Sequence, residues 1–184
     1  MKLFQPGGRV LPAVRKLKEV EALLSAPFPG FVLLGGHVGQ MKPIADLARA
    51  HGKDVLLHAD LIDGLRNDEY AAEFLCQSVR PAGLISTRAG VIQRTKQNGL
   101  IAIQRLFLLD SDALERSYAL VEKTQPDFVE VLPGIMPEII AEVKARTGVP
   151  VIAGGLIRTE AHVRQALEAG AAAVTTSRRE LWEA

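Results

Sequence analysis

One pattern constrains this chain more than any other. Short apolar runs recur along it, each followed by an amphipathic stretch of helical length. The runs cover residues 10–14, 31–36, 54–60, 83–88, 100–107, 128–134, 150–157 and 172–177. Between them, helical periodicity marks 38–51, 68–79, 111–124, 136–147 and 160–169. The punctuation agrees. Gly52, Gly99, Gly148 and Gly170 follow helical segments, where a left-handed C-terminal residue favours glycine. Asp110 and Thr159 stand just before helical runs and supply the oxygens that an N-cap requires.

Eight βα units can form an open doubly wound sheet or a closed barrel. Two observations favour a compact (β/α)8 barrel of the TIM type spanning residues 1–184 as a single α/β domain. The runs are roughly 17–29 residues apart, which leaves no room for an inserted second domain. Most runs also end in polar or glycine residues, and in a barrel those ends converge on one mouth. No G-x-G-x-x-G turn follows the first run, as a dinucleotide-binding sheet would have.

Composition matters mainly for what it excludes. Lys+Arg 22 against Asp+Glu 21 gives a net charge of +1, so bulk charge does not mark a polyanion-binding protein. One cysteine rules out an internal disulfide and suits a reducing compartment. That residue, Cys76, lies in an apolar helical run and reads as a buried thiol rather than a nucleophile. The first eight residues have no apolar signal core, and no stretch approaches the ~20 apolar residues of a membrane span. A cytoplasmic protein with no membrane partner is expected.

Three groups of residues could carry chemistry. The first is Gly154, Gly155, Thr176 and Ser177, at the ends of the seventh and eighth runs. Barrels often hold a phosphate there, between backbone amides left accessible by glycine, hydroxyl donors, and the N-terminus of a short helix beginning near Arg178. The alternative is that the glycines only permit tight strand–helix packing. The second group is His58, Asp60 and Glu130. His58 and Asp60 are two apart in an expected strand and so share a face. With Glu130 they suit an acid/base pair, a metal site, hydroxyl recognition, or a polar network in the core. No cofactor is implied, and no lysine is expected at a strand end where a Schiff base would form. The third group is the stretch 74–109, which has no acidic residue but contains Arg80, Arg88, Arg94, Lys96 and Arg105. It reads as a phosphate or RNA footprint, or as an ordinary solvated face. Trp182 is expected to pack the terminal helix.

Several strings, in order, resemble the glycerol uptake operon antiterminator regulatory proteins. They are VLPAV (10–14), LHADLIDGL (57–65), GLISTR (83–88), IQRLFLLDS (103–111), DFVEVLPG (127–134), IAGGLI (152–157), TTS (175–177) and ELW (180–182). The chain departs from that pattern at Leu34–His37, where a more polar residue usually precedes the histidine. The resemblance implies a (β/α)8-type barrel and a transcription antitermination regulator. Such a regulator responds to glycerol 3-phosphate as effector and binds leader mRNA to control glycerol-utilisation genes. Placed on this sequence, Gly154, Gly155, Thr176 and Ser177 would hold the phosphate. His58, Asp60 and Glu130 would meet the glycerol hydroxyls, and Arg88 and Arg105 would reach the phosphate from the opposite wall. RNA would be met by Arg88, Arg94 and Lys96. No catalytic residue is implied, and a homo-oligomer is compatible with the resemblance. The competing expectation is a phosphate-binding barrel enzyme using His58, Asp60 and Glu130 as acid and base.

Overall fold

The computed structural model describes Leu3 and residues 9–182. Eight parallel strands close on themselves: β1 (Val10–Val14), β2 (Gly30–Leu33), β3 (Asp54–His58), β4 (Gly83–Ser86), β5 (Ile101–Phe107), β6 (Phe128–Leu132), β7 (Val151–Ala153) and β8 (Ala173–Thr176). They stand around the barrel in chain order, and closure comes from β1 pairing with β8, Leu11 beside Thr175 and Pro12 beside Thr176. Helices follow in turn: α1 (Leu17–Leu24), α2 (Val38–Ala50), α3 (Glu69–Phe74), α4 (Ala89–Gln97), α5 (Ser111–Thr124), α6 (Pro137–Thr147) and α7 (Glu160–Glu168). Among the described residues no helix is long and apolar enough to cross a membrane.

Local chemistry explains the boundaries. Asp110 accepts the Ala113 amide at 2.7 Å to start α5, and Thr159 accepts the His162 amide at 3.2 Å to start α7. Gly148 ends α6 with φ +67°, a conformation that costs glycine little. The runs read from sequence overshoot their strands on the mouth side. β3 stops at His58, and Ala59–Leu61 turns as a 3-10 helix. β7 has only three residues because Gly155 and Leu156 both take positive φ. Gly36–His37, beyond β2, pairs with Ile62–Asp63 as a separate two-stranded ribbon. Among the described residues, the chain after β8 forms only a three-residue 3-10 turn, Arg179–Leu181. The helix dipole expected near Arg178 is therefore not built, since one turn sums few peptide dipoles.

The interior is layered. Every strand contributes to a single buried cluster (Leu11 and Ala13 of β1, then Val32, Leu56, Ile85, Ile103, Phe128, Ile152 and Ala173) capped by Leu3. Two larger clusters pack the outer strand faces against the helices. Side chains alternate along a strand, so the next inward position lies two residues toward the mouth. Beyond Ala13, those positions are His58, Arg105, Glu130 and Thr175 within their strands, with Leu34, Thr87 and Gly154 just past the strand ends. The floor is thus apolar, and the layer above it is mixed and largely polar.

Candidate functional site

Glu130 organises the mouth layer. It is 1% exposed, receives the Arg105 Nε–H on Oε2 at 2.7 Å, and receives the Thr175 hydroxyl on Oε1 at 2.8 Å. Arg105 is therefore gripped by its Nε edge, and its two Nη groups have no partner among the described residues. Gly154 lets this happen. A Cβ there would lie 2.7 Å from both Glu130 Oε1 and Thr175 Oγ1. Its amide donates to the Val131 carbonyl at 3.0 Å, so Gly154 packs against Glu130 and does not offer its N–H to an anion.

Above this layer opens a cavity of about 220 Å³, lined by Arg15, Leu34, Leu61, Arg105, Glu130, Gly155, Leu156, Thr175, Thr176 and Ser177 among others. The backbone amides of Gly155, Leu156 and Ser177 have no partner among the described residues. The Thr176 hydroxyl is already engaged, donating to the Ile157 carbonyl and accepting the Arg178 amide, both at 3.2 Å. Its carbonyl takes the Trp182 indole N–H at 2.9 Å, and Trp182 sets its ring edge against Phe28. Of the residues expected to bind ligand, Gly155, Thr176, Ser177, Glu130 and Arg105 line this cavity. Gly154, His58, Asp60 and Arg88 do not.

His58 and Asp60 are not on one strand face, because the strand ends between them. Asp60 instead braces the loop after β4. It accepts the Ser86 hydroxyl, the Thr87 amide at 2.8 Å and the Thr87 hydroxyl at 2.7 Å. His58 is 2% exposed with both ring nitrogens unpartnered. Burial, reinforced by the Arg105 charge and opposed by Asp60 and Glu130, pushes its imidazolium pKa down to about 4. The ring is neutral at physiological pH, with one donor and one acceptor unsatisfied. Buried polar atoms are seldom left so, and an ordered water or a ligand hydroxyl would complete them. Among the described residues no group of three or more His, Cys, Asp or Glu could hold a metal. Cys76 is buried, and that burial raises its thiol to about 11, far from thiolate chemistry.

The acid-free stretch looks different in space. Arg88 sits exposed at the N-terminal end of α4, on the mouth side. Lys96 sits at the other end of α4, 3.2 Å from Asp127, which precedes β6 at the base of the barrel. Arg94 lies 3.7 Å from Glu73 of α3. Acids from neighbouring segments thus neutralise cations that sequence alone leaves unpaired, and Arg88, Arg94 and Lys96 do not form one patch. His37 caps α2 by accepting the Gly39 amide at 3.1 Å, a structural task. Arg15 and Thr175 emerge as site residues that sequence reasoning missed. The signal for Thr175 was its two-residue step from Ala173; Arg15 carried none beyond following the first strand.

The family model for glycerol-3-phosphate responsive antiterminators matches residues 10–182. The crystal structure of the glycerol uptake operon antiterminator regulatory protein from Listeria monocytogenes str. 4b F2365 shares 46% identity. It covers 100% of this chain and 99% of its own, at a TM-score of 0.95. A glycerol uptake operon antiterminator-related protein from Thermotoga maritima MSB8 shares 30% identity over 95% of this chain and 98% of its own, at a TM-score of 0.84. The uncharacterised protein YgcP of Escherichia coli (strain K12) is 30% identical over 94% of this chain and 91% of its own length.

Proposed function

Because this chain belongs to the glycerol-3-phosphate responsive antiterminator family, we propose that it binds glycerol 3-phosphate in the mouth cavity and leader mRNA outside it. The observation that carries the ligand reading is the Arg105–Glu130 arrangement. Glu130 holds the guanidinium by one edge and leaves the Nη edge for a second anion. A phosphate takes bidentate donors of that kind well. The unpartnered amides of Gly155, Leu156 and Ser177 line the same cavity, where phosphate commonly sits in barrels. In this reading Gly155 and Ser177 act through their backbone, Thr176 is structural, and Gly154 supplies room. The cavity is smaller than the ~300 to 1,000 Å³ clefts that hold drug-sized ligands, which suits a three-carbon phosphate ester. The remaining Glu130 lone pairs can accept from a ligand hydroxyl.

An enzymatic use of the same residues finds less support. Asp60 is engaged by the loop it braces, Glu130 is committed to Arg105 and Thr175, and neither Asp60 nor His58 lines the cavity. None stands free as an acid or base at a bound ligand.

The test is a calorimetric titration with glycerol 3-phosphate, glycerol and inorganic phosphate. Saturable binding should be seen for glycerol 3-phosphate and be lost in Arg105→Ala. It should weaken at least ten-fold in Gly154→Ala, whose methyl would displace Glu130. Equal affinity for glycerol 3-phosphate in all three proteins would remove the site from the mouth.

A further inference from the structure

The mouth is electrically divided. Take each loop from its strand end to the third residue of the next helix. Three neighbouring loops, following β7, β8 and β1, cover residues 154–162, 177–182 and 15–19. They carry Arg15, Lys16, Lys18, Arg158, Arg178 and Arg179 against Glu19, Glu160 and Glu180. The loops after β3, β4, β5 and β6, residues 59–71, 87–91, 108–113 and 133–139, reverse the balance. There, Arg66 and Arg88 face Asp60, Asp63, Asp68, Glu69, Asp110, Asp112 and Glu138. All six cations of the first sector are exposed. Arg178 pairs with Glu180 at 3.0 Å and Arg179 with Glu19 at 3.7 Å. The side chains of Arg15, Lys16, Lys18 and Arg158 form no ion pair among the described residues, although Glu19 accepts the Arg15 and Lys16 backbone amides at 3.1 and 3.0 Å. The near-neutral total charge hides this separation.

We propose that the β7–β8–β1 sector of the mouth is the surface that takes RNA, through its sugar-phosphate backbone. This rests on the antiterminator reading and specifies where the RNA lies. A polyanion is drawn to exposed, unpaired cations and repelled by the acidic half of the same rim, so the division also orients it. The sector offers only two rings, the half-buried Trp182 and His162, so recognition is of phosphates and shape more than of stacked bases. The surface also explains how effector and RNA communicate. Gly155 and Leu156 are followed by Arg158, Ser177 by Arg178 and Arg179, and the cavity-lining Arg15 by Lys16. A phosphate ordering these backbones from inside would set the spacing of the cations outside, giving reciprocal linkage.

The test uses the full chain, a labelled leader transcript and glycerol 3-phosphate, with affinity measured over a range of salt. The variant Lys16→Ala/Lys18→Ala/Arg158→Ala removes three cations that do not line the cavity; Arg94→Ala/Lys96→Ala is the comparison on α4. The triple variant should still bind glycerol 3-phosphate, which verifies its fold. Its RNA affinity should fall on the order of ten-fold, with the log–log salt slope reduced by about 2–3, while the α4 variant stays at wild type. An unchanged slope in the triple variant, with wild type binding normally, overturns the location, and a reduced slope in the α4 variant moves the RNA to that face. Absence of RNA binding by the wild type sinks the antiterminator reading itself.

Discussion

His58 places the sharpest residue-scale constraint on the mouth layer. An imidazole held at about 4 in the fold titrates near 6.5 once unfolded, so the unfolded chain takes up the proton first. Stability from this group is intact above pH 6.5 and drains away as pH falls toward 4. The cost is about 2 kcal/mol by pH 5. His58→Gln removes this dependence, while the other histidines are common to both proteins and cancel. Urea unfolding at pH 7.5 and pH 5 should therefore show the variant gaining on wild type by that amount; a pH-independent difference would mean that the ring is solvated. The Arg105–Glu130 pair makes a second residue-scale prediction. Arg105→Ala leaves a carboxylate that is 1% exposed with only the Thr175 hydroxyl, and should cost about 3–5 kcal/mol in unfolding free energy. Adding Glu130→Gln to that variant should restore more than half of the loss, since the stranded charge is gone. No restoration would assign the loss to packing of the arginine stem.

At the scale of elements, the strands depend on close approaches that sequence does not reveal. A Cβ on Gly83 would lie 2.4 Å from the Ile101 carbonyl oxygen and 2.6 Å from Ile101 Cβ, inside the β4–β5 pairing. Neither atom belongs to a flexible side-chain end, so Gly83→Ala should destabilise by about 1–3 kcal/mol, read as a lower urea midpoint at unchanged slope. A midpoint equal to wild type would show that the strands can part there. The elements themselves were legible. Apolar runs buried on both faces, capping oxygens and terminal glycines gave eight strands in the right order and the spans of five of the seven helices, α1 and α4 having been left without a marked span. Strand ends were not, because Ile157 and Asp60 continue an apolar or alternating pattern after the backbone has turned. That error is what placed His58 and Asp60 on one face. The cations of α4 misled for a related reason: their partners Glu73 and Asp127 come from segments outside the acid-free stretch, and only the fold brings them together.

For the whole molecule, the layered interior ties architecture to purpose. An apolar floor carries a polar layer, the polar layer opens into a small cavity, and the loops that line the cavity also carry the basic sector of the rim. That Gly155, Thr176, Ser177, Glu130 and Arg105 meet at one cavity was legible because strand ends in a barrel converge. The roles changed in space, with Glu130 positioning Arg105 and Gly154 making room for both. The most direct test of the account is the affinity of the chain for its own glycerol-operon leader transcript with and without glycerol 3-phosphate. Glycerol 3-phosphate should tighten RNA binding, glycerol should not, and the transcript should tighten glycerol 3-phosphate binding by the same factor. Transcript affinity that is unmoved by glycerol 3-phosphate, or no transcript binding by folded protein, would contradict it.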